Sequence, residues 1–93
     1  MLKLIKITDN GGKTMDRYTA YFKGDGEIDG DYTLCMSHNC KSPQGVCMSD
    51  TTKPDWIEAD DGKVMVFTDC PYDVQVAIVQ FRDGDDSLNK MTL

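Results

Sequence analysis

The sequence DNGG at residues 9–12, between two strand-like segments, is the feature that most limits how this chain folds. Asn and Gly adopt positive φ angles at little cost, so such a turn is typical of two antiparallel strands joined as a hairpin. Before the turn, strand alternation places Leu2 and Leu4 on one side of a sheet and Ile7 on the other. After it, residues 18–22 (YTAYF) are aromatic and β-branched, as strands prefer. The two segments are therefore predicted to pair.

Further strand signals follow in the middle of the chain. Residues 32–36 (YTLCM) are predicted to form a third strand, whereas residues 49–55 (SDTTKPD) are polar and expected to be irregular. Residues 56–59 and 63–67 flank the Asp-Asp-Gly sequence at residues 60–62. That arrangement predicts a second hairpin.

The apolar segment at residues 71–81 (PYDVQVAIVQF) fits two kinds of structure. Strand spacing relates Val74, Val76 and Ile78, whereas i, i+3, i+4, i+7 helical spacing relates Val74, Ala77, Ile78 and Phe81. We favour a helix because Pro71 suits a first helical turn and Gly84 stands where a helix would stop. Asp69 is expected to cap this helix.

These elements predict an α+β fold: a small antiparallel sheet of four to five strands, built from hairpins, with one C-terminal helix packed on a face. The 93 residues are expected to form a single domain, residues 1–93, with a flexible tail at residues 83–93. The predicted core consists of Ala20, Leu34, Trp56, Val66, Phe67, Val74, Ile78 and Phe81.

The acidic composition limits the classes of partner. Sixteen acidic residues against ten basic ones give a formal charge of −6. This charge opposes direct binding to nucleic-acid phosphates and favours a partner protein with a basic surface. No apolar run reaches the ~20 residues of a membrane span. The N-terminal sequence MLKLIKITDN is unlike a signal peptide, so an intracellular location and reduced cysteines are expected.

Two polar segments are the candidate binding residues. The first is DRYT at residues 16–19, and the second is the loop MSHNCKSPQG at residues 36–45. An Arg fork, a Tyr ring and a Ser- and Gly-containing turn could bind a small polar or anionic ligand. In the alternative interpretation, Arg17 pairs with Asp16 or a loop carboxylate and Gln44 braces the turn. The candidate residues are Asp16, Arg17, Tyr18, Thr19, Ser37, Ser42, Pro43, Gln44 and Gly45.

Four potential zinc ligands lie within thirteen positions: Cys35, His38, Cys40 and Cys47. Their spacing, C-x2-H-x-C-x6-C, matches no common zinc knuckle or ribbon, which favours buried cysteines and a surface histidine over a metal site. Strand alternation is expected to direct Cys35 into the core, away from Met36. The sequence does not decide whether a Cys40–Cys47 or a Cys35–Cys70 disulfide forms.

Other chemical sites have weaker support. Residues 25–30 resemble the opening of an EF-hand loop, but Met36 stands where the closing glutamate belongs. His38 lies near Cys40 and Ser42 without a visible third group, so an enzyme is not expected, and no cofactor is implied. The acids are better interpreted as an interaction surface that comprises Asp25, Glu27, Asp29, Asp31, Asp60 and Asp61.

The segments KTMDRYTAYF, YTLCMSHNCKSPQGVC and FTDCPYDVQVAIVQ, at residues 13–22, 32–47 and 67–80, resemble a family of small, uncharacterised tailed-phage proteins. The family pattern places D-R-Y-T before M-S and then S-P-Q-G, which correspond here to residues 16–19, 36–37 and 42–45. The resemblance covers roughly half of the chain. It implies a phage origin and a location in the host bacterial cytoplasm, and it implies no particular activity.

Three functional hypotheses follow. The first is a non-enzymatic phage accessory protein that binds and inhibits a host protein, such as a defence or nucleic-acid-acting complex. The second is a module that sequesters a small ligand, such as a nucleotide signal, through Arg17, Tyr18 and the turn at residues 42–45. The third is a zinc-stabilised structural module.

Overall fold

The computed structural model describes residues 2–24, 30–52 and 54–84. Within these residues an antiparallel sheet has the strand order β4-β3-β2-β1-β5. Its strands are β1 (Lys3–Asp9), β2 (Tyr18–Lys23), β3 (Asp31–Met36), β4 (Cys47–Thr52) and β5 (Lys63–Val64). The helices are α1 (Pro54–Ala59) and α2 (Tyr72–Arg82), with a 3-10 turn at Phe67–Asp69. The predicted α+β class, an antiparallel sheet with a C-terminal helix, is confirmed.

The first hairpin forms as predicted, but a bulge in β1 changes which side chains share a face. Leu4 pairs with Phe22 and Lys6 pairs with Tyr21, so Ile5 is an extra residue in β1. An extra residue in one strand shifts the alternation of side chains by one position. Ile7 therefore lies on the same face as Leu4 and is buried. The prediction that Ile7 faces away from Leu2 and Leu4 was wrong.

The two faces of the sheet differ in what covers them. We call the side packed against α2 the helix face; it carries Leu4, Ile7, Ala20, Phe22, Leu34 and Met36. We call the opposite side the outer face; it carries Lys6, Thr8, Thr19, Tyr21, Thr33, Cys35, Met48 and Asp50. Cross-strand partners point to the same side of a sheet, which fixes both sets.

Helix α2 closes the helix face with its apolar stripe, which includes the buried Val74, Ala77 and Ile78. The helical interpretation of residues 71–81 is confirmed, and the chain turns at Gly84 with φ +68°. The proposed cap was wrong, because Pro71 occupies the N-cap position without a side-chain bond and Asp69 lies in the 3-10 turn. Phe81 packs against Phe22 with ring centroids 5.0 Å apart.

The second predicted hairpin was also wrong. Residues 54–59 form the short helix α1, and β5 pairs instead with β1, where Thr8 lies opposite Val64. Trp56 and Val66, predicted for the core, are 51% and 63% exposed. Trp56 belongs to the connection that crosses the outer face, and Val66 follows β5 at the edge of the sheet, so α2 covers neither side chain. The core prediction holds for Ala20, Leu34, Phe67, Val74, Ile78 and Phe81.

Two further expectations are corrected around β3. The segment predicted to be irregular begins with a strand, because β4 pairs with β3 along its length, from Met36 opposite Cys47 to Asp31 opposite Thr52. Cys35 does not point into the core. It lies on the outer face, whereas its neighbour Met36 is fully buried under α2.

The two α-helices of the described residues are short, six and eleven residues. Neither is long and apolar enough to cross a membrane.

Candidate functional site

The two segments singled out in the sequence lie side by side. Tyr18, at the start of β2, pairs with Met36, at the end of β3, and the loop at residues 37–46 follows directly. The Tyr18 ring is buried, and its centroid lies 6.2 Å from that of His38. Antiparallel pairing thus places the DRYT segment beside the loop, which sequence spacing alone did not establish.

Arg17 is held by a carboxylate of the fold. Its Nε donates to Asp9 Oδ1 at 2.8 Å and its Nη2 donates to Asp9 Oδ2 at 3.1 Å. The hydrogen bond from Arg17 holds the pKa of Asp9 below its usual value. The guanidinium also lies 5.3 Å from the centre of the Tyr18 ring. This bidentate contact uses the Nε and Nη2 edge of the guanidinium and ties Arg17 to the end of β1, so that Arg17 closes the β1–β2 turn.

The serine hydroxyls and the glycine of the loop also make contacts within the fold. Ser37 Oγ accepts from Val46 N at 2.8 Å, and Ser37 N donates to Val46 O at 2.9 Å, which closes the base of the loop. Ser42 Oγ accepts from Gln44 N at 3.2 Å. At Gly45 a Cβ would stand 2.2 Å from the carbonyl oxygen of Asn39, so only glycine fits there. These residues shape the loop.

The remaining members of the two segments have separate places. Asp16 Oδ1 accepts from Thr14 Oγ1 within the β1–β2 turn. Thr19 lies on the outer face opposite Cys35. Pro43 and Gln44 are exposed at the tip of the loop. The nine candidate binding residues therefore divide between the hairpin turn, the loop and the two faces of the sheet.

The four potential zinc ligands also separate. Cys40 and Cys47 both lie at the core on the side of α2, where each shifts the pKa of the other. His38 is exposed, and Cys35 is on the outer face. In the described part of the chain, no three His, Cys, Asp or Glu side chains come together as a metal site. Cys70 is in the core, so a Cys35–Cys70 bridge would have to pass through the sheet.

A groove of about 360 Å³ runs between β4 and the end of α2. Its walls are mostly apolar and are formed by Leu2, Tyr32, Ser49, Asp50, Thr51 and Phe81. This lining includes neither Lys nor Arg. The groove therefore offers no cationic side chain to an anionic ligand.

The outer face is organised around the carboxylate of Asp60. Its Oδ2 accepts from Tyr21 Oη at 2.6 Å and from Thr8 Oγ1 at 2.7 Å, and its Oδ1 accepts from Gly62 N at 2.8 Å. Burial raises the pKa of Asp60, but these hydrogen bonds outweigh burial, and the pKa is lowered. Burial and the hydrogen bond to Asp60 raise the pKa of Tyr21.

Helix α1 is fastened to this face by Lys6. Lys6 Nζ donates to the carbonyl oxygen of Ile57 at 2.9 Å and to that of Asp60 at 3.3 Å. The ammonium group therefore holds the backbone of the connection, and its positive charge also helps to lower the pKa of Asp60. This anchorage places Trp56, at 51% exposure, above the outer face.

The acids near Asp60 form what we call the acidic patch: Asp16, Asp50, Asp55, Glu58, Asp60 and Asp61. Asp16, Asp50 and Asp60 converge on Cys35, where burial and then these charges raise the pKa of the thiol. Asp50, Asp55, Glu58 and Asp61 are exposed. Met48, on the same face, is 64% exposed. Lys3 and Lys23 face each other at the far end of the sheet, beside Asp31.

The sequence predicts Asp60 and Asp61 for this surface but does not predict Asp50, Asp55, Met48 or Trp56. Helix α1, which carries Asp55 and Trp56, was predictable from the sequence, since Pro followed by Asp at residues 54–55 is typical of a first helical turn. Asp31 is paired in β3 at the other end of the sheet from Asp60. Asp25, Glu27 and Asp29 lie outside the described residues.

Comparison of the chain with protein-family models, with curated proteins and with solved structures finds no match.

Proposed function

We propose that this chain is a non-enzymatic phage accessory protein that binds a host protein with a basic surface and thereby inhibits it. The contact surface would be the acidic patch together with the exposed side chains of Trp56 and Met48. The observation that carries the proposal is this combination of surplus carboxylates and large apolar side chains on the one sheet face that α2 leaves open.

The chemistry of the outer face suits a protein partner. Exposed carboxylates attract a basic surface from a distance and fix its orientation. Trp is among the residues that most often carry binding energy at protein interfaces, and Met adapts its shape to a partner. The same carboxylates would repel nucleic-acid phosphates. Together these features favour a basic protein surface.

The phage origin and the inhibition of a host protein rest on the resemblance of residues 16–19, 36–37 and 42–45 to the phage family. A host protein that acts on nucleic acid has the positive surface that the acidic patch requires. Occupying that surface would block its substrate, so no catalytic group on this chain is needed.

The small-ligand alternative receives less support from the contacts. Arg17 is held by Asp9, and the hydroxyls of Ser37 and Ser42 are bonded within their own loop. A ligand at this place would compete with those bonds for Nε and Nη2 of Arg17 and for the hydroxyl oxygens of the two serines.

Salt-dependent co-purification from a bacterial host tests the proposal. The tagged protein should retain a basic host protein at low ionic strength and lose it progressively as salt screens the charges. The double variant Asp50→Asn/Glu58→Gln should lose the partner. Asp69→Asn/Asp83→Asn removes the same charge from exposed positions outside the patch and should retain it. Equal retention by both double variants would contradict the proposed surface, and no retained partner at low salt would contradict the proposed function.

A further inference from the structure

The loop at residues 37–46 brings two cysteines together where the proposed function uses neither. Cys40 is 6% exposed and packs in the hydrophobic core, and Cys47, the first residue of β4, is half-buried beside it. The backbone bonds between Ser37 and Val46 close the base of the loop. Within the loop Gly45 packs on Cys40, since a Cβ added at Gly45 would stand 2.9 Å from Cys40 Cα. The closed loop thus holds Cys40 and Cys47 together against the core. The other two cysteines do not face each other, because Cys35 lies on the outer face and Cys70 lies in the core.

We infer that Cys40 and Cys47 are a redox-active dithiol that a small-molecule disulfide converts reversibly to an intramolecular disulfide. The inference rests on the juxtaposition of the two thiols and on their unequal exposure. It is independent of the proposed binding function, since both cysteines lie on the side of α2.

The exposure of each cysteine assigns its part in the exchange. The half-buried Cys47 sulfur attacks one sulfur of the small disulfide, which forms a mixed disulfide and releases a thiolate that takes up a proton. The Cys40 thiol then loses its proton and attacks the Cys47 sulfur, which releases the second small thiol. Two protein thiols are thereby oxidised, and one small disulfide is reduced to two thiols.

The surroundings of the pair favour this order. The hydrogen bond from Cys40 and the nearby charge of Lys41 lower the pKa of Cys47 despite its burial. A larger thiolate fraction makes an accessible cysteine the attacking group. The Cys40 sulfur also lies 3.2 Å from the carbonyl oxygen of Asp73, an alternative acceptor for its one S–H, and this position inside the fold suits the resolving thiol.

Incubation of the reduced full-length protein with oxidised glutathione, followed by alkylation and peptide mass spectrometry, tests the inference. The wild-type chain, which has four cysteines, should lose two alkylation sites, yield a Cys40–Cys47 bridge and retain no glutathione. Dithiothreitol should restore all four sites. Because the bridge would constrain the unfolded chain between residues 40 and 47, the oxidised form should also have a higher Tm.

Variants separate the two thiols. Cys40→Ser should retain one glutathione on Cys47, whereas Cys47→Ser should retain none on the buried Cys40. Cys35→Ser is the matched control and should form the same bridge as the wild type. A wild-type protein that keeps all four thiols, carries stable glutathione on Cys47 or bridges through Cys35 or Cys70 would overturn the inference. The wild-type mapping decides the question even if a serine variant fails to fold.

Discussion

The two faces of the sheet are stabilised in different ways. On the helix face, Val74, Ile78, Phe22 and Met36 are fully buried, and stability comes from removing apolar surface from water. On the outer face, one carboxylate, Asp60, gathers donors from two strands and from its own turn. The helix face is therefore closed by packing, and the outer face is closed by polar contacts around a single residue.

This difference separates structural from recognition residues. An apolar face covered by a helix has no side chains left to meet a partner. A polar connection covers only the strands to which it bonds, so Met48, Asp50 and Trp56 stay exposed beside it. Variants on the two faces should therefore affect different properties of the protein.

Among the substitutions, Ile78→Ala is expected to have the largest effect on stability. The side chain is fully buried between α2 and the sheet, and its truncation should lower the free energy of unfolding by about 3 kcal/mol. Urea denaturation followed by circular dichroism measures the change. Val66→Ala truncates a side chain that is 63% exposed, and it should change the free energy by less than about 0.5 kcal/mol. Equal effects of the two variants would contradict the assigned core.

Asp60→Asn is expected to be the most damaging single change on the outer face. It removes the charge that accepts hydrogen bonds from Tyr21 and Thr8, and it should lower the free energy of unfolding by about 2 kcal/mol. The matched control is Asp61→Asn, because Asp61 is exposed and adjacent in sequence. If the control destabilises the chain as much as Asp60→Asn does, general charge and not the specific contacts stabilises this face.

The pH dependence of the free energy of unfolding should also show the contribution of the Asp60 carboxylate. The pKa of Asp60 is lowered in the folded protein, so its contribution is present above its unfolded pKa of about 3.9. This contribution is lost as the pH falls through the pKa of Asp60 in the folded protein. The unfolded state, in which the pKa is higher, binds the proton at a higher pH than the folded state does. Denaturation curves between neutral and acidic pH should show a smaller acid-induced loss in Asp60→Asn than in the wild type. Identical pH profiles would be inconsistent with a lowered pKa at Asp60.

Deletion of Ile5 should have the smallest effect of these changes. Ile5 is the extra residue of the β1 bulge, so its removal leaves Leu4 on the helix face and Lys6 on the outer face in regular alternation. We expect the fold to persist with a change of about 1 kcal/mol or less. Deletion of Thr19, in the regular register of β2, should unfold the protein because the residues on one side of it would change face. Circular dichroism and proton NMR dispersion distinguish these outcomes.

The local patterns in the sequence predicted the β1–β2 hairpin, the third strand, α2 and most of the core. They did so because the turn residues, the β-branched runs and the helical stripe each act over a few neighbours. The bulge at Ile5 was not predictable in this way, since it depends on pairing with Phe22 and Tyr21. The position of Trp56 was missed for a related reason: an apolar residue in a connection is buried only if some element covers it.

The candidate site illustrates the same limit. Arg17 and the loop residues carry polar groups that are suited to binding a ligand. In the folded chain, however, Arg17 donates to Asp9, and the hydroxyl of Ser37 accepts from the backbone of Val46. The acidic patch arises from residues far apart in sequence, such as Asp16, Asp50 and Asp60, which converge only across the sheet. Long-range strand order is therefore what the local patterns left unspecified.

Titration with an arginine-rich peptide, followed by tryptophan fluorescence, tests the central claim most directly. Trp56 is the only tryptophan of the chain, so its emission reports on the outer face alone. The proposed surface predicts a saturable emission change that weakens as salt is raised, is lost in Asp50→Asn/Glu58→Gln and is kept in Asp69→Asn/Asp83→Asn. Binding that leaves Trp56 emission unchanged, or that both double variants weaken equally, would contradict it.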